Sequence, residues 1–155
     1  DKQFDMQKFN RFAAHPRVVF YRQEFWGDRE RTKYFLNILA HADVVVGVYT
    51  TMLIEAAALD RPLVAPAFDG YRTRPYHRSI RRFEAFDHFQ EVLASGAVRT
   101  ARSFDDLLLI LRRYLDDPAV DERERHILRE RVCFRLDGKA SERILAEIFA
   151  SGHSL

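Results

Sequence analysis

The chain has 155 residues, with 25 Lys or Arg against 23 Asp or Glu for a formal charge of +2, and 47% of its residues are hydrophobic. That composition suits one globular domain able to bury roughly two-thirds of its extended surface, and it excludes a collagen, a coiled coil or a disordered tail. The single Cys133 rules out an internal disulfide framework or a cysteine-based metal cluster, and no apolar run nears ~20 residues and no signal-like start is present, so a cytoplasmic location is expected.

Residues 5–12 read as a short helix, and Arg17-Val18-Val19-Phe20-Tyr21 after Pro16 as a first strand, because the proline stops a helix and the β-branched pair favours extension. From Asp28 to His41, Tyr34, Phe35, Ile38 and Leu39 recur at helical spacing behind a cap near Gly27-Asp28. Asp43 to Val48 is a short, almost wholly apolar strand, the pattern of a parallel sheet covered on both faces. It runs through Tyr49-Thr50-Thr51 into the helix Met52 to Leu59. Asp60-Arg61-Pro62 ends that helix, and Leu63-Val64-Ala65 follows as another buried strand.

Pro66 to Arg82 reads as irregular, with Gly70, Pro75 and five arginines at 72, 74, 78, 81 and 82. A helix is expected within residues 79–93, then a weak strand from Ala97 to Ala101. Ser103 with Asp106 resembles a capping box that opens a helix to Leu115. A charged helix over about 121–134 and an amphipathic one after Gly138 complete an α/β chain with a helical carboxyl end, in one domain over residues 1–155 without repeats.

Chemistry is expected first at Gly47-Val48-Tyr49-Thr50-Thr51, where a central strand feeds a helix. Ligands of open parallel sheets bind beyond the strand ends, and free amides with the helix dipole attract anions there. Thr50 and Thr51 either cap that helix or both cap it and bind phosphate. Glu55, one turn deeper, is either an exposed helix residue or a partner for ribose or sugar hydroxyls. Arg72, Arg74 and Arg78, with Tyr71 and Tyr76 nearby, form either a solvated loop or a grip for phosphates or an anionic acceptor. Trp26 packs in the core or stacks on a nucleobase. No Walker loop and no G-x-G-x-x-G follows a strand, and the six histidines show no metal-like spacing, so no metal is expected. All but four of the basic residues are Arg, yet acidic residues are interspersed almost throughout, so no specific nucleic-acid partner is expected.

Ala42-Asp43-Val44-Val45-Val46-Gly47, Tyr49-Thr50-Thr51-Met52, Glu55-Ala56 and Asp60-Arg61-Pro62-Leu63-Val64 together resemble the carboxyl-terminal nucleotide-binding half of GT-B glycosyltransferases. The nearest variants are the CDP-glycerol glycerophosphotransferase and surface-polysaccharide glycosyltransferase groups, with a more distant similarity to nonhydrolysing UDP-sugar 2-epimerases. Asp87-His88-Phe89, the segment Tyr114 to Pro118 and Leu136 to Ile144 extend the similarity over residues 20–149. The fold this implies is a Rossmann-like three-layer sheet with helices on both faces.

The resemblance further implies a donor site in which Thr50 and Thr51 contact phosphates, Glu55 binds ribose or sugar hydroxyls and His88 matches a donor-side histidine, while Tyr49, Trp26, Arg72 and Arg74 are the further candidates for donor binding. Val48 stands where the glycerophosphotransferases carry an acid, which places a UDP- or CDP-type sugar nucleotide ahead of CDP-glycerol as donor. No cofactor beyond that nucleotide donor is expected. The implied partners are an amino-terminal acceptor lobe, which would carry the catalytic base, and a surface or capsular polysaccharide acceptor, with peripheral association of the full enzyme at the inner membrane face. The start at Asp1 fits a domain taken from something longer, inactive alone. A 2-epimerase, a non-catalytic nucleotide-binding regulatory domain and a protein-interaction module are the alternatives.

Overall fold

The computed structural model describes residues 9–12, 14–20 and 29–151. The chain divides into two compact units, Asp1–Phe35 and Leu36–Leu155. In the first, Asn10–Phe12 forms a single 3-10 turn, and the Phe9 and Phe20 rings lie 6.3 Å apart. Residues 17–20 enter no ladder, which corrects the expected first strand, and Tyr21 lies outside the described residues. The reason is that β-branched residues make a strand only when a neighbour supplies the ladder and buries one face, and Val19 is 87% exposed. Of the expected helix over 5–12, only the 3-10 turn falls among the described residues.

Helix α1, Arg29–Ala40, runs across the division between the units. The second unit then alternates as the apolar pattern dictates. Strand β1 is Val45–Val46, helix α2 Thr51–Ala58 and strand β2 Leu63–Pro66. Two 3-10 segments, Tyr76–Arg78 and Ile80–Ala85, lead to α3, Asp87–Ala94. Strand β3 is Val98–Ala101 and helix α4 Phe104–Asp116. Helix α5, Glu122–Leu128, widens into a π turn at Arg129–Cys133 before α6, Ala140–Ser151.

The three strands are parallel in the order β1-β2-β3, with Val45 opposite Leu63 and Val64 opposite Arg99. Successive side chains of a strand face opposite ways. Val64 joins Ala101 and Tyr114 in a cluster that Leu107, Ile110 and Leu111 of α4 close. Leu63 and Ala65 therefore point to the other face, where they are equally buried, and α2, which brings Leu53, Ala56 and Ala57 to full burial, also packs against β2. Helices on both faces of a parallel sheet make the α/β, Rossmann-like architecture that the sequence anticipates.

Caps fix the element ends. Ser103 Oγ accepts from the Asp106 N–H at 3.1 Å while Asp106 Oδ2 accepts from the Arg102 N–H at 2.8 Å, a reciprocal pair that starts α4. Arg125 is 2% exposed and ties the α5 entry to the end of α2, donating to Asp60 Oδ1 at 2.8 Å and to the carbonyls of Val120 and Pro118. Such a buried guanidinium is tolerated because its donors are satisfied. No helix among the described residues is long and apolar enough to cross a membrane.

Candidate functional site

Because all three strands are parallel, the segments that follow them emerge at one edge of the sheet. Those segments are Gly47–Thr50, residues 67–82 and Arg102-Ser103. The apolar strands and the capping residues thus carry Tyr49, Asp69, Arg72, Arg81 and Arg102 to the same rim.

Tyr49 is 5% exposed, with its ring edge-on to Phe89 at 5.8 Å. Its phenol donates to Glu84 Oε1 at 2.9 Å, and Arg102 Nη1 donates to the other carboxylate oxygen of Glu84 at 2.7 Å. Glu84 therefore bridges the segment after β1 to the segment after β3. Burial pushes the Tyr49 phenol up to about 12, the hydrogen bond with Thr100 pulls the other way, and Glu84 adds to the rise. At neutral pH Tyr49 is a fixed hydrogen-bond donor with no capacity to act as a base. Arg102 is pushed above its ordinary range, chiefly by the hydrogen bond to Glu84.

Thr50 sits at the N-cap position of α2 in extended backbone, and its carbonyl accepts from the Leu53 N–H at 3.0 Å, but its hydroxyl makes no capping bond. Both Thr50 and Thr51 are exposed. The same chain uses Ser103 and Ser79 as hydroxyl caps, each accepting from the backbone N–H two or three residues on. The start of α2 is thus left with open amides and two unengaged hydroxyls. Glu55 is exposed, so no desolvation penalty demands a partner for it. His88, the second residue of α3, is exposed, with its ring tilted against Phe89 at 4.5 Å, the ring that packs against Tyr49.

The segment after β2 is organised by Asp69. Its Oδ1 accepts from the Ile80 N–H at 2.9 Å, and that bond, with Ser79, Arg74 and Arg81 nearby, holds the carboxyl below its ordinary range. Buried Ser79 accepts from Arg81 Nε at 2.9 Å, and Arg81 Nη2 donates to the Arg74 carbonyl at 3.2 Å. Arg82 Nη1 donates to the His77 carbonyl at 2.8 Å. Two cavities flank this segment. One of about 420 Å³ is lined by Asp69, Arg72, Arg81, Arg102 and Phe104, and one of about 350 Å³ by Asp69, Arg74, Arg78, Arg82 and Phe83.

Of the expected site residues, Tyr49, Thr50 and Thr51 lie together at the start of α2, with Glu55 a turn further along that helix. His88 adjoins them through Phe89, and Arg72 and Arg74 line separate cavities. Trp26 lies outside the described residues. Sequence reasoning missed Glu84 and Arg102. Arg102 was detectable as the first residue past a strand next to a capping serine, whereas Glu84 sits in an irregular segment with no local signal. Among the described residues no group of three or more His, Cys, Asp or Glu is placed to hold a metal ion.

A family described as CDP-glycerol:poly(glycerophosphate) glycerophosphotransferase matches residues 10–150. No curated protein and no solved structure matches the chain significantly.

Proposed function

The chain belongs to the CDP-glycerol:poly(glycerophosphate) glycerophosphotransferase family, and from that premise we propose that it is the donor-binding half of a transferase that moves glycerophosphate from a CDP-glycerol-type donor to a poly(glycerophosphate) acceptor. The family match puts glycerophosphate ahead of the sugar that Val48 had favoured, and puts transfer ahead of epimerisation. The diphosphate lies against the first-turn amides of α2 and the Thr50 and Thr51 hydroxyls. Glu55, one turn along, takes ribose or glycerol hydroxyls.

In this reading an acceptor hydroxyl oxygen bonds to the phosphorus that carries glycerol. The bond from that phosphorus to the bridging oxygen breaks, and the nucleoside monophosphate leaves with the electron pair. The acceptor proton passes to a base on the facing lobe that the GT-B resemblance implies. This chain's contribution is electrostatic: preorganised amides and hydroxyls meet the charge that grows on the departing phosphate. Tyr49, locked by Glu84 and Phe89, holds the strand-to-helix turn in place for that task.

The observation that carries the reading is the uncapped start of α2, where a hydroxyl at the N-cap position is left unspent. The test is a titration of CDP, UDP, GDP and ADP onto the chain with backbone amide shifts as readout. CDP is expected to perturb Thr50, Thr51 and Glu55 most, and Thr50→Ala with Thr51→Ala to weaken it about tenfold, the value of one or two lost hydrogen bonds. If none of the four nucleotides moves those amides, the donor-site reading fails.

A further inference from the structure

The uncapped helix start does not account for the arginines, and the two cavities after β2 are a separate feature. They adjoin, sharing Phe68 and Asp69, and between them present six guanidiniums, from Arg72, Arg81 and Arg102 in one and Arg74, Arg78 and Arg82 in the other. The only carboxylate lining either is Asp69, which is engaged by the Ile80 N–H. In a chain whose formal charge is +2, this is a concentrated cationic surface on a rim that is otherwise of mixed charge.

The cluster is also built. Arg81 is held by Ser79 and the Arg74 carbonyl, Arg82 by the His77 carbonyl and Arg102 by Glu84. Their aliphatic stems are fixed without full neutralisation, because only Arg102 of the three pairs with a carboxylate. Arg72, Arg74 and Arg78 are exposed, and their guanidiniums form no hydrogen bond or ion pair among the described residues, with that of Arg74 only lying near Asp69. Three anchored forks and three that make no hydrogen bond, spread over two adjoining cavities, match an anion that repeats. A single diphosphate would fill one cavity and leave the other three charges unanswered.

We propose that this arginine-lined double cavity is where the anionic acceptor docks, as a phosphodiester chain of glycerophosphate units whose successive phosphates occupy the two cavities, apart from the donor diphosphate at Thr50 and Thr51. The assignment rests on the transferase reading above and adds the acceptor's place to it. A nucleic acid, the other common phosphodiester polyanion, fits less well. Sequence-tolerant binding of single strands needs rings free to stack on bases. The rings lining these cavities are engaged instead, with Phe68 edge-on to Phe104 at 4.8 Å, Phe83 edge-on to Phe86 at 5.1 Å, and Arg82 over Phe83 at 4.9 Å, which leaves stacking to Tyr71 and Tyr76, exposed on the same segment but lining neither cavity.

The experiment is fluorescence anisotropy of a labelled, synthetic glycerophosphate oligomer with the full chain across a salt series, beside CDP and an oligothymidylate of the same phosphate number. The oligomer is expected to bind with a steep salt dependence and more tightly than the oligothymidylate. Arg72→Gln/Arg74→Gln/Arg78→Gln removes only exposed, unengaged guanidiniums and leaves the anchored three intact. It is expected to weaken the oligomer at least tenfold and to flatten its log–log salt slope by about two, at ~0.7 per lost phosphate contact, while CDP affinity is unchanged. Thr50→Ala/Thr51→Ala is expected to do the reverse. Failure of the oligomer to bind at low salt, equal binding of the oligothymidylate, or a parallel loss of CDP in the arginine variant would each overturn the acceptor site. The first two results leave the donor reading untouched and the third moves the arginines into the donor site, while the donor reading itself stands or falls on CDP and the threonine variants.

Discussion

Tyr49 shows how much one residue at the rim is asked to do. Its ring fills a buried space beside Phe89 and its hydroxyl reaches Glu84, so packing and polarity are separable by substitution. Tyr49→Phe keeps the ring and removes the donor, and is expected to cost about 1 kcal/mol in urea unfolding. The phenol, raised to about 12 in the folded chain, stabilises the fold in its protonated form below the unfolded value of ~10, and that contribution fades as pH rises through the folded value. A spectrophotometric titration should therefore show the difference between wild type and Tyr49→Phe only at the alkaline extreme. A phenolate band attributable to Tyr49 at pH 9 would contradict the burial and the Glu84 contact together. From sequence, Tyr49 was legible as part of the strand-to-helix turn, but its partner was not, because Glu84 lies 35 positions away and irregular segments carry no periodicity that fixes their position.

At the scale of elements, the entry to α5 depends on Asp121, which adopts a left-handed backbone conformation at φ 61°. Its carboxylate accepts from Arg99 Nε at 2.6 Å and from the Tyr114 phenol at 2.7 Å, joining β3, α4 and α5 at one point. Burial alone would raise the Asp121 carboxyl, but Arg99 and Tyr114 outweigh it and hold it below the ordinary range. A depressed carboxyl stabilises the fold above its unfolded value of ~3.9, and that stability is lost as pH falls from there through the folded value. Asp121→Asn tolerates the same backbone and is expected to cost about 1–2 kcal/mol at pH 7. The gap to wild type should narrow in urea melts run towards pH 3. A gap that stays constant with pH would show that the charge contributes nothing. The elements themselves were mostly readable, since β2 is a short apolar run between helix stops and α4 announces itself by Ser103 and Asp106. The exception is residues 17–20, whose β-branched pair promises a strand that no ladder completes.

Over the whole molecule, hydrophobic burial is uneven. Both faces of β2 are covered, whereas α6 leaves Ile144 and Ile148 at 60% and 59% exposure. Apolar side chains that remain in water contribute little to folding, so Ile144→Ser with Ile148→Ser should change the unfolding free energy by no more than about 0.5 kcal/mol, against several for a large-to-small change at fully buried Leu53. A loss of 2 kcal/mol or more in the double variant would mean that this face is covered within the chain.

The sequence by itself determined the alternation of short apolar strands with capped, amphipathic helices, and with it the parallel α/β fold and the strand-to-helix turn at Thr50 and Thr51. Those features are local: a run of four residues or a cap three residues from its partner already contains the physics that forms it. Only the tertiary structure decided that Glu84 ties Tyr49 to Arg102, that Arg102 joins the five arginines of residues 72–82 around two adjoining cavities, and that the Val18-Val19 pair enters no ladder. The first two depend on groups that the strand order brings to one rim and the third on the lack of a neighbouring strand to pair with, and spacing along the chain carries no record of either.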